Sequence, residues 1–352
     1  MVSKNSKPVR ISLDIMGGDH GAAVLVPGAD LALKKHPSLS FHMYGDEKAV
    51  LPILNQYPEL KSVTTFVHTD VTIQMDDKPS QALRQGRGKS SMWRAVQAVK
   101  DGEADAAVSG GNTGALMAMA KVCLKTVMPI ERPVIACIWP TMLGESIVLD
   151  VGANIGANAG HLVDMAILGS AMAKVVLNKE WPSVGLLNVG TEEIKGLDNV
   201  KEASRILRDQ ASLGFEYRGF VEGNDIGKGT VDVIVTEGFT GNIALKTAEG
   251  TAKQMASLLR TALSRSWRTK LGYMLAKPAF DELKEKLDPR RANGGVFLGL
   301  EGIVVKSHGS TDSLGFACAI ELAHAMVCHN LKQTIRELFE TLLAANATND
   351  EG

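Results

Sequence analysis

A layered α/β fold, three layers deep (α/β/α) around a mostly parallel sheet and Rossmann-like in plan, is predicted by three observations. Short β-branched or apolar runs alternate with longer amphipathic stretches along the 352 residues. Six of the strand-like runs open directly into glycine plus small polar or charged residues, as strand ends do where an open α/β sheet binds ligands. No linker rich in Pro, Gly or Ser divides the chain, which reads as one unit over 8–345, of one lobe or two, with a polar tail at 346–352. In chain order, strand Val9–Ile15 precedes helix Val24–Lys35, and strands Leu39–Tyr44 and Val63–His68 follow. Helix Ser91–Asp101 has Ser90 as its N-cap. Strand Ala104–Ser109 leads to helix Leu116–Leu124. Strands Val134–Trp139 and Ile147–Val151 lead to helix His161–Leu177. Strand Val184–Val189 leads to helix Val200–Ala211, strand Val231–Thr236 to helix Ile243–Leu263, and strand Ile303–Ser307 to helix Phe316–Leu343. Strand followed by helix, repeated, makes βαβ units with the sheet covered on both faces.

Composition excludes several classes. Lys and Arg number 38 against 39 Asp and Glu, so the chain is not a basic polymer binder, and aromatics at 5% are too few for base-stacking platforms. No nucleic acid partner is expected. The first residues lack the apolar core of a secretory signal, and no run of 18 apolar residues occurs. Cys123, Cys137, Cys318 and Cys328 form no CxxC and lie in apolar stretches, as expected of reduced, buried thiols in a cytoplasmic protein.

The strand ends carry the chemistry. They are Asp14–Gly21 with Gly17, Gly18 and Asp19; Ser109–Gly114 with Gly111, Asn112 and Thr113; Asp150–Asn154; Asn188–Gly196 with Glu192, Glu193 and Lys195; Thr236–Asn242 with Thr240 and Gly241; and Lys306–Asp312 with His308 and Ser310. Glycine admits main-chain N–H groups close to an anion, and a helix N-terminus adds the positive end of its dipole. Ser109–Gly114 and Thr240–Asn242 each precede an expected helix and suit a phosphate, and all six loops are expected on one edge of the sheet. Each loop alone is equally readable as a helix cap. Lys89 and Ser90 open a helix where Lys89 can reach an anion. His308, flanked by Ser307 and Gly309 at a strand end, differs from the helix-borne His324 and His329, which are read as packing or surface.

Other motifs fail. Gly86-Arg-Gly-Lys89-Ser90 lacks the first glycine of a P-loop, no GxGxxG follows the first strand, and neither HExxH nor GxSxG occurs. No metal and no cofactor is assigned.

The loops MGGDHG, KSSM, ADAAVSGGNTGALM, LDVGAN, LLNVGTEEIKG, FVEGNDI, EGFTGNIALKTAEG, GGVFLGLEG and VVKSHGSTD occur in this order. Together they resemble the phosphate acyltransferases of bacterial phospholipid synthesis, the PlsX family, from about Arg10 to about Asn330. The segment Leu258–Asp288 matches least. The resemblance implies a fold similar to the isocitrate/isopropylmalate dehydrogenases and to phosphotransacetylase. It implies reversible transfer of an acyl group from acyl-(acyl carrier protein) to inorganic phosphate, giving acyl phosphate for a membrane glycerol-3-phosphate acyltransferase. It also implies a homodimer in the cytoplasm, attached peripherally to the inner face of the cell membrane. Phosphate is itself the nucleophile, so no acyl-enzyme is required. On this reading Lys195 and Asn242 act at the reacting carbonyl or phosphate, with Lys306 and His308 as second choices. Asp14, Asp19 and Asn154 shape the pocket, and Gly17, Gly18, Lys89, Ser90, Ser109, Gly111, Asn112, Thr113, Asn188, Glu193, Thr240, Gly241 and Ser310 complete it.

A basic stretch in and just beyond the tip at 255–290 suits the acidic carrier protein: Arg260, Arg265, Arg268, Lys270, Lys277, Lys284, Lys286, Arg290 and Arg291 crowd it. Trp267, Leu271 and Leu275 fall at i, i+4, i+8, the stripe of a helix lying on a membrane or packed in a core. Pro278 is expected to break that helix into a helix–turn–helix tip. Rival readings are an acyl-CoA phosphotransacetylase, a dehydrogenase lacking its carboxylate cluster and nicotinamide contact, and a non-catalytic scaffold, which leaves the six glycine-rich strand ends unexplained.

Overall fold

In the computed structural model, which describes residues 8–209, 214–286 and 294–350, one sheet of eleven strands organises the chain. β1 (Val9–Asp14) pairs in parallel with β2 (Leu39–Gly45) on one side and β4 (Ala106–Ser109) on the other. β3 (Thr64–His68) lies beyond β2, and β11 (Ile303–Lys306) lies beyond β4, both parallel. β10 (Gly295–Leu298) then runs antiparallel to β11 and to β5 (Val134–Thr141). β5 turns tightly into the antiparallel β6 (Gly144–Leu149), and β9 (Val233–Val235), β7 (Ser183–Leu187) and β8 (Glu216–Val221) continue parallel to β6.

Both faces of the sheet are buried, as its apolar strands require. Neighbouring residues on one strand enter different cores. Ala106 and Val108 of β4 and Val305 of β11 pack with Ile11, Leu13, Phe41, Leu168 and Phe316 on one side. Ala107 and Val304 pack with Met92, Val96, Leu116, Met119 and Ile234 on the other. The first side is covered by α1 (Ala22–Lys35), α7 (Ala159–Val176), α11 (Ser313–Cys328) and α12 (Leu331–Asp350). α5 (Ser91–Lys100) and α6 (Thr113–Leu124) cover the second. α7 is apolar nearly all round because it is buried nearly all round; it is the one helix among the described residues long and apolar enough to span a bilayer, and it serves here as a core helix. α1 meets α11 through Gly28, where a Cβ would stand 2.8 Å from the Ser313 carbonyl oxygen.

Several elements differ from expectation. β8 and β10 are strands not read from sequence: β10 is bounded by glycines (Gly294, Gly295, Gly299), which read as turn. α2 (Glu47–Leu54), α3 (Pro58–Ser62) and α4 (Pro79–Gly86) are short helices not read from sequence; Pro58 and Pro79 open α3 and α4, where proline is tolerated, whereas Pro52 lies inside α2. The expected helix Phe316–Leu343 is two helices, with Asn330 between them in the left-handed region at φ 53°. α12 reaches Asp350 and so takes in most of the segment read as a tail. α8 (Asp198–Asp209) matches its expectation up to the described limit.

The described part of the 255–290 segment, 255–286, is a helical hairpin, but its turn is not at Pro278. α9 (Gly238–Ser264) ends before Arg265, and α10 (Trp267–Lys286) runs through Pro278. The break is made by Ser266 and Thr269, which cap reciprocally: the Ser266 N–H donates to Thr269 Oγ1 at 3.0 Å and the Thr269 N–H to Ser266 Oγ at 3.2 Å. The stripe of Trp267, Leu271 and Leu275 faces solvent, with Trp267 70% and Leu275 76% exposed. The guanidinium of Arg268 stands over the Trp267 ring at 5.5 Å. Arg260, Arg265 and Lys270 are exposed. The side chains of Lys284 and Lys286, and residues Arg290 and Arg291, lie outside the described residues.

Candidate active site

The six strand-end loops do not share one edge. Three antiparallel steps, β11 to β10, β10 to β5 and β5 to β6, reverse the strand direction. The loops after β1, β4 and β11 therefore leave the sheet in one sense, and those after β6, β7 and β9 in the other.

The first cluster is built on close backbone contact. Gly18, at φ 84°, lies where a Cβ would meet the Gly309 oxygen at 2.9 Å, and the Asp19 N–H donates to that same oxygen at 2.9 Å. A Cβ on Gly17 would strike Asp14 Oδ2 and the Gly111 nitrogen, and one on Gly111 would strike Met92. These glycines let three loops interlock. Asp14 is fully buried and accepts from Ser109 Oγ at 2.7 Å; burial pushes its carboxyl up. Ser109 Oγ in turn accepts from the Gly111 N–H at 3.0 Å. Lys306 is only 8% exposed, and its ammonium donates to the carbonyls of Gly110 (3.2 Å) and Ser307. Burial lowers its pKa to about 8, against the partial support of Asp14 and Asp19. His308 accepts at Nδ1 from the Ser310 N–H at 3.3 Å and contacts Ser310 Oγ at 3.0 Å. Burial, then Lys246, holds His308 below the usual histidine range.

Beside this cluster α6 begins. Asn112 is its cap, accepting from the Ala115 N–H at 3.0 Å, while its amide donates to the carbonyls of Met75 and Asp77. Thr113 and Gly114 are the first residues of the helix, where N–H groups have no intrahelical acceptor and the dipole is positive. Ser90 is confirmed as a cap, of α5, through the Trp93 N–H at 3.2 Å. Lys89 is exposed, and its backbone carbonyl anchors Thr69.

The second cluster turns on Asp150, a residue the sequence reading left out of the site. It is fully buried and accepts from Ile135, Gly152, Ala153 and Asn154 N–H groups and from the Asn154 side chain, all at 2.8–3.2 Å. Asn154 thus serves the loop, as its second donation to the Pro133 oxygen also shows. Gly241 presses on this loop: a Cβ there would lie 1.9 Å from the Asp150 oxygen. Glu237 is likewise new. It caps α9, accepting from the Phe239 and Thr240 N–H groups, and also from Gly156. Burial would raise it, but these bonds outweigh burial and hold it low. Because Glu237 occupies those donors and α9 starts at Gly238, Thr240–Asn242 is the first turn of the helix and not an open anion cradle. Asn242 stands against Gly152, and its side-chain amide takes no hydrogen-bond partner among the described residues.

Lys195 lies on the β7–α8 loop. Asn188 shapes that loop by donating to the carbonyls of Gly190 and Lys195, both at 3.1 Å. Lys195 is exposed and pairs with Glu192 at 2.8 Å, which raises its pKa. Glu193 pairs instead with Arg208 of α8.

The two clusters meet along α9. Lys246 of α9 lies within electrostatic range of both Lys306 and His308, and Glu249 and Lys253 also act on His308. The hairpin residues Arg260–Leu275 belong to neither cluster. None of the cysteines joins them: burial pushes Cys137 up to about 12 and raises Cys123, Cys318 is half-buried, and Cys328, expected buried, is exposed on α11 beside His324.

Comparison with known proteins fits this arrangement. The fatty acid synthesis protein family matches residues 9–334. The phosphate acyltransferase of Azorhizobium caulinodans is 64% identical over 98% of this chain and 98% of its own. That of Xanthobacter autotrophicus is 64% identical over 94% of this chain and 92% of its own. A phosphotransacetylase from Streptococcus pyogenes shares the fold at TM-score 0.60 and 17% identity, over 91% of this chain and 94% of that one. The chain belongs to the fatty acid synthesis protein family, the PlsX phosphate acyltransferases.

Proposed function

We propose that this acyltransferase moves a long-chain acyl group reversibly from acyl-(acyl carrier protein) to inorganic phosphate by direct attack. The observation that carries the reading is the convergence of buried Lys306, His308 and the open N-terminus of α6 at one cluster. A buried ammonium beside an exposed imidazole and the N–H donors that open a helix suit a phosphate. Lys195 and Asn242 then polarise the thioester carbonyl. A phosphate oxygen bonds to the carbonyl carbon, the tetrahedral oxyanion collapses, the carbon–sulfur bond breaks, and the carrier thiolate takes up a proton. The raised thiols of Cys123 and Cys137 are poor nucleophiles, which favours direct attack over an acyl-enzyme. In this reading the enzyme is a cytoplasmic homodimer. It rests on the inner face of the cell membrane through the exposed Trp267, Leu271 and Leu275, and supplies acyl phosphate to a membrane glycerol-3-phosphate acyltransferase.

The test is release of carrier thiol from palmitoyl-(acyl carrier protein) with and without phosphate, with acyl phosphate trapped by hydroxylamine. Phosphate-independent release would make the protein a thioesterase, and turnover of acyl-CoA alone would move it to the transacetylase reaction. A pH profile checks Lys306. Its charge is present below about pH 8 and lost above. The KM for phosphate is therefore expected to rise as pH passes 8, and in Lys306→Gln to be higher throughout with that inflection gone.

A further inference from the structure

α9 carries one acidic residue, Glu249, and three basic ones, Lys246, Lys253 and Arg260. The basic residues are spaced by seven, which puts them on one stripe of the helix. Its first two members lie toward the loop after β11, since Lys246 and Lys253 are both within electrostatic range of His308. Lys246 is paired with Glu249 at 2.9 Å, whereas Lys253 and Arg260 are exposed and carry no ion pair among the described residues. Such unpaired cations on an otherwise neutral protein form a directional field for an acidic partner. At about 1.5 Å per residue, Lys253 stands about 16 Å and Arg260 about 27 Å along the helix from Asn242. A partner seated there lies at the distance of a flexible prosthetic arm from the site, not in it.

We propose that this stripe on the stem of α9, and not the basic turn at Arg265–Lys270, is the docking rail for the acidic carrier that brings the acyl thioester. The inference rests on the acyl-carrier reading above and deepens it. The turn is the weaker dock because Arg268 is engaged with the Trp267 ring and lies beside exposed apolar residues. The stripe alone runs continuously from the site, beginning one helical turn beyond Asn242.

The experiment compares wild type, Lys253→Glu/Arg260→Glu and Arg265→Glu/Arg268→Glu on two donors, palmitoyl-(acyl carrier protein) and palmitoyl-pantetheine, which lacks the protein. The stem variant is expected to raise the KM for the carrier-bound donor at least about tenfold and to flatten its salt dependence. For Arg260→Glu alone, at a residue that does not act on His308, the carrier KM rises while the kinetics with palmitoyl-pantetheine and the KM for phosphate stay at wild-type values, and the turn variant behaves as wild type with both donors. Lys253→Gln/Arg260→Gln, which removes charge without reversing it, shows a smaller shift in the same direction. An unchanged carrier KM in the stem variant overturns the proposal. So does an equal loss with palmitoyl-pantetheine, which would mark damage to the site. Loss of binding to anionic vesicles with carrier KM intact would make the stripe a lipid surface instead. If wild type uses palmitoyl-pantetheine and phosphate but not the carrier-bound donor, the acyl-carrier reading itself fails, whatever the variants do.

Discussion

Lys195→Ala is expected to lower turnover by about 10²–10³-fold, the effect of removing one preorganised charge donor from a developing oxyanion. The fold is expected to survive the change. Lys195 is exposed, its only ion pair among the described residues is with Glu192 three residues away, and exposed pairs of this kind contribute about 0–1 kcal/mol. The loop keeps its shape through other groups, since Asn188 donates to two carbonyls across it and Gly196 adopts φ 91° where any Cβ would overlap the Asn188 side chain. Circular dichroism and thermal unfolding should therefore match wild type while steady-state kinetics show the loss in kcat. Turnover within a few-fold of wild type would return Lys195 to the role of a solvated surface lysine, a role its exposure equally permits.

Asp150→Ala is expected to be the most damaging single change to stability. Five hydrogen bonds converge on one buried carboxylate, four of them from the backbone N–H groups of Ile135, Gly152, Ala153 and Asn154, the first of them buried. Charge-assisted bonds are worth about 1.5–3 kcal/mol each and unsatisfied buried donors cost about as much, so the loss should exceed about 4 kcal/mol even with local relaxation. The loop also forms the seat of Gly241 and Asn242, so surviving folded protein should lose activity as well. Thermal unfolding of the purified variant is the measurement, and a fall in Tm of only one or two degrees would mean the loop is held by something else. Asp150→Asn, which keeps one acceptor oxygen, is expected to fall between the two.

The chain's order of strands and helices was legible because hydrophobic period is a local property. The strand from Val9, the buried strand ending at Ser109 and the capped helix at Ser91 could each be read without knowing a neighbour. The loops that carry chemistry were legible for the same reason, since glycine beside Asp, Ser, Asn or Lys records a backbone that must come close to something. What they come close to was not legible. Gly18 is opposed by Gly309, nearly three hundred residues away, and no spacing rule connects them. Asp150 and Glu237 look like ordinary strand-end acids until the donors around them are counted, which is why both escaped a reading based on motifs. Thr240–Asn242 looked like an open anion cradle because the cap that fills it, Glu237, stands just outside the motif. Ser266 and Thr269 were passed over in favour of Pro278 because a proline is a conspicuous breaker, whereas a reciprocal cap depends on geometry.

By itself the sequence determined the α/β class, the periodic burial and, through a run of loops in fixed order, the family. The tertiary structure decided which loops share a site. Three antiparallel steps at the middle of the sheet reverse its second half, so loops alike in composition divide into two clusters, and α9 brings a charge, Lys246, from one within reach of the other. Strand direction and helix reach are set by pairings between distant residues, whereas period and glycine content are set by adjacent ones.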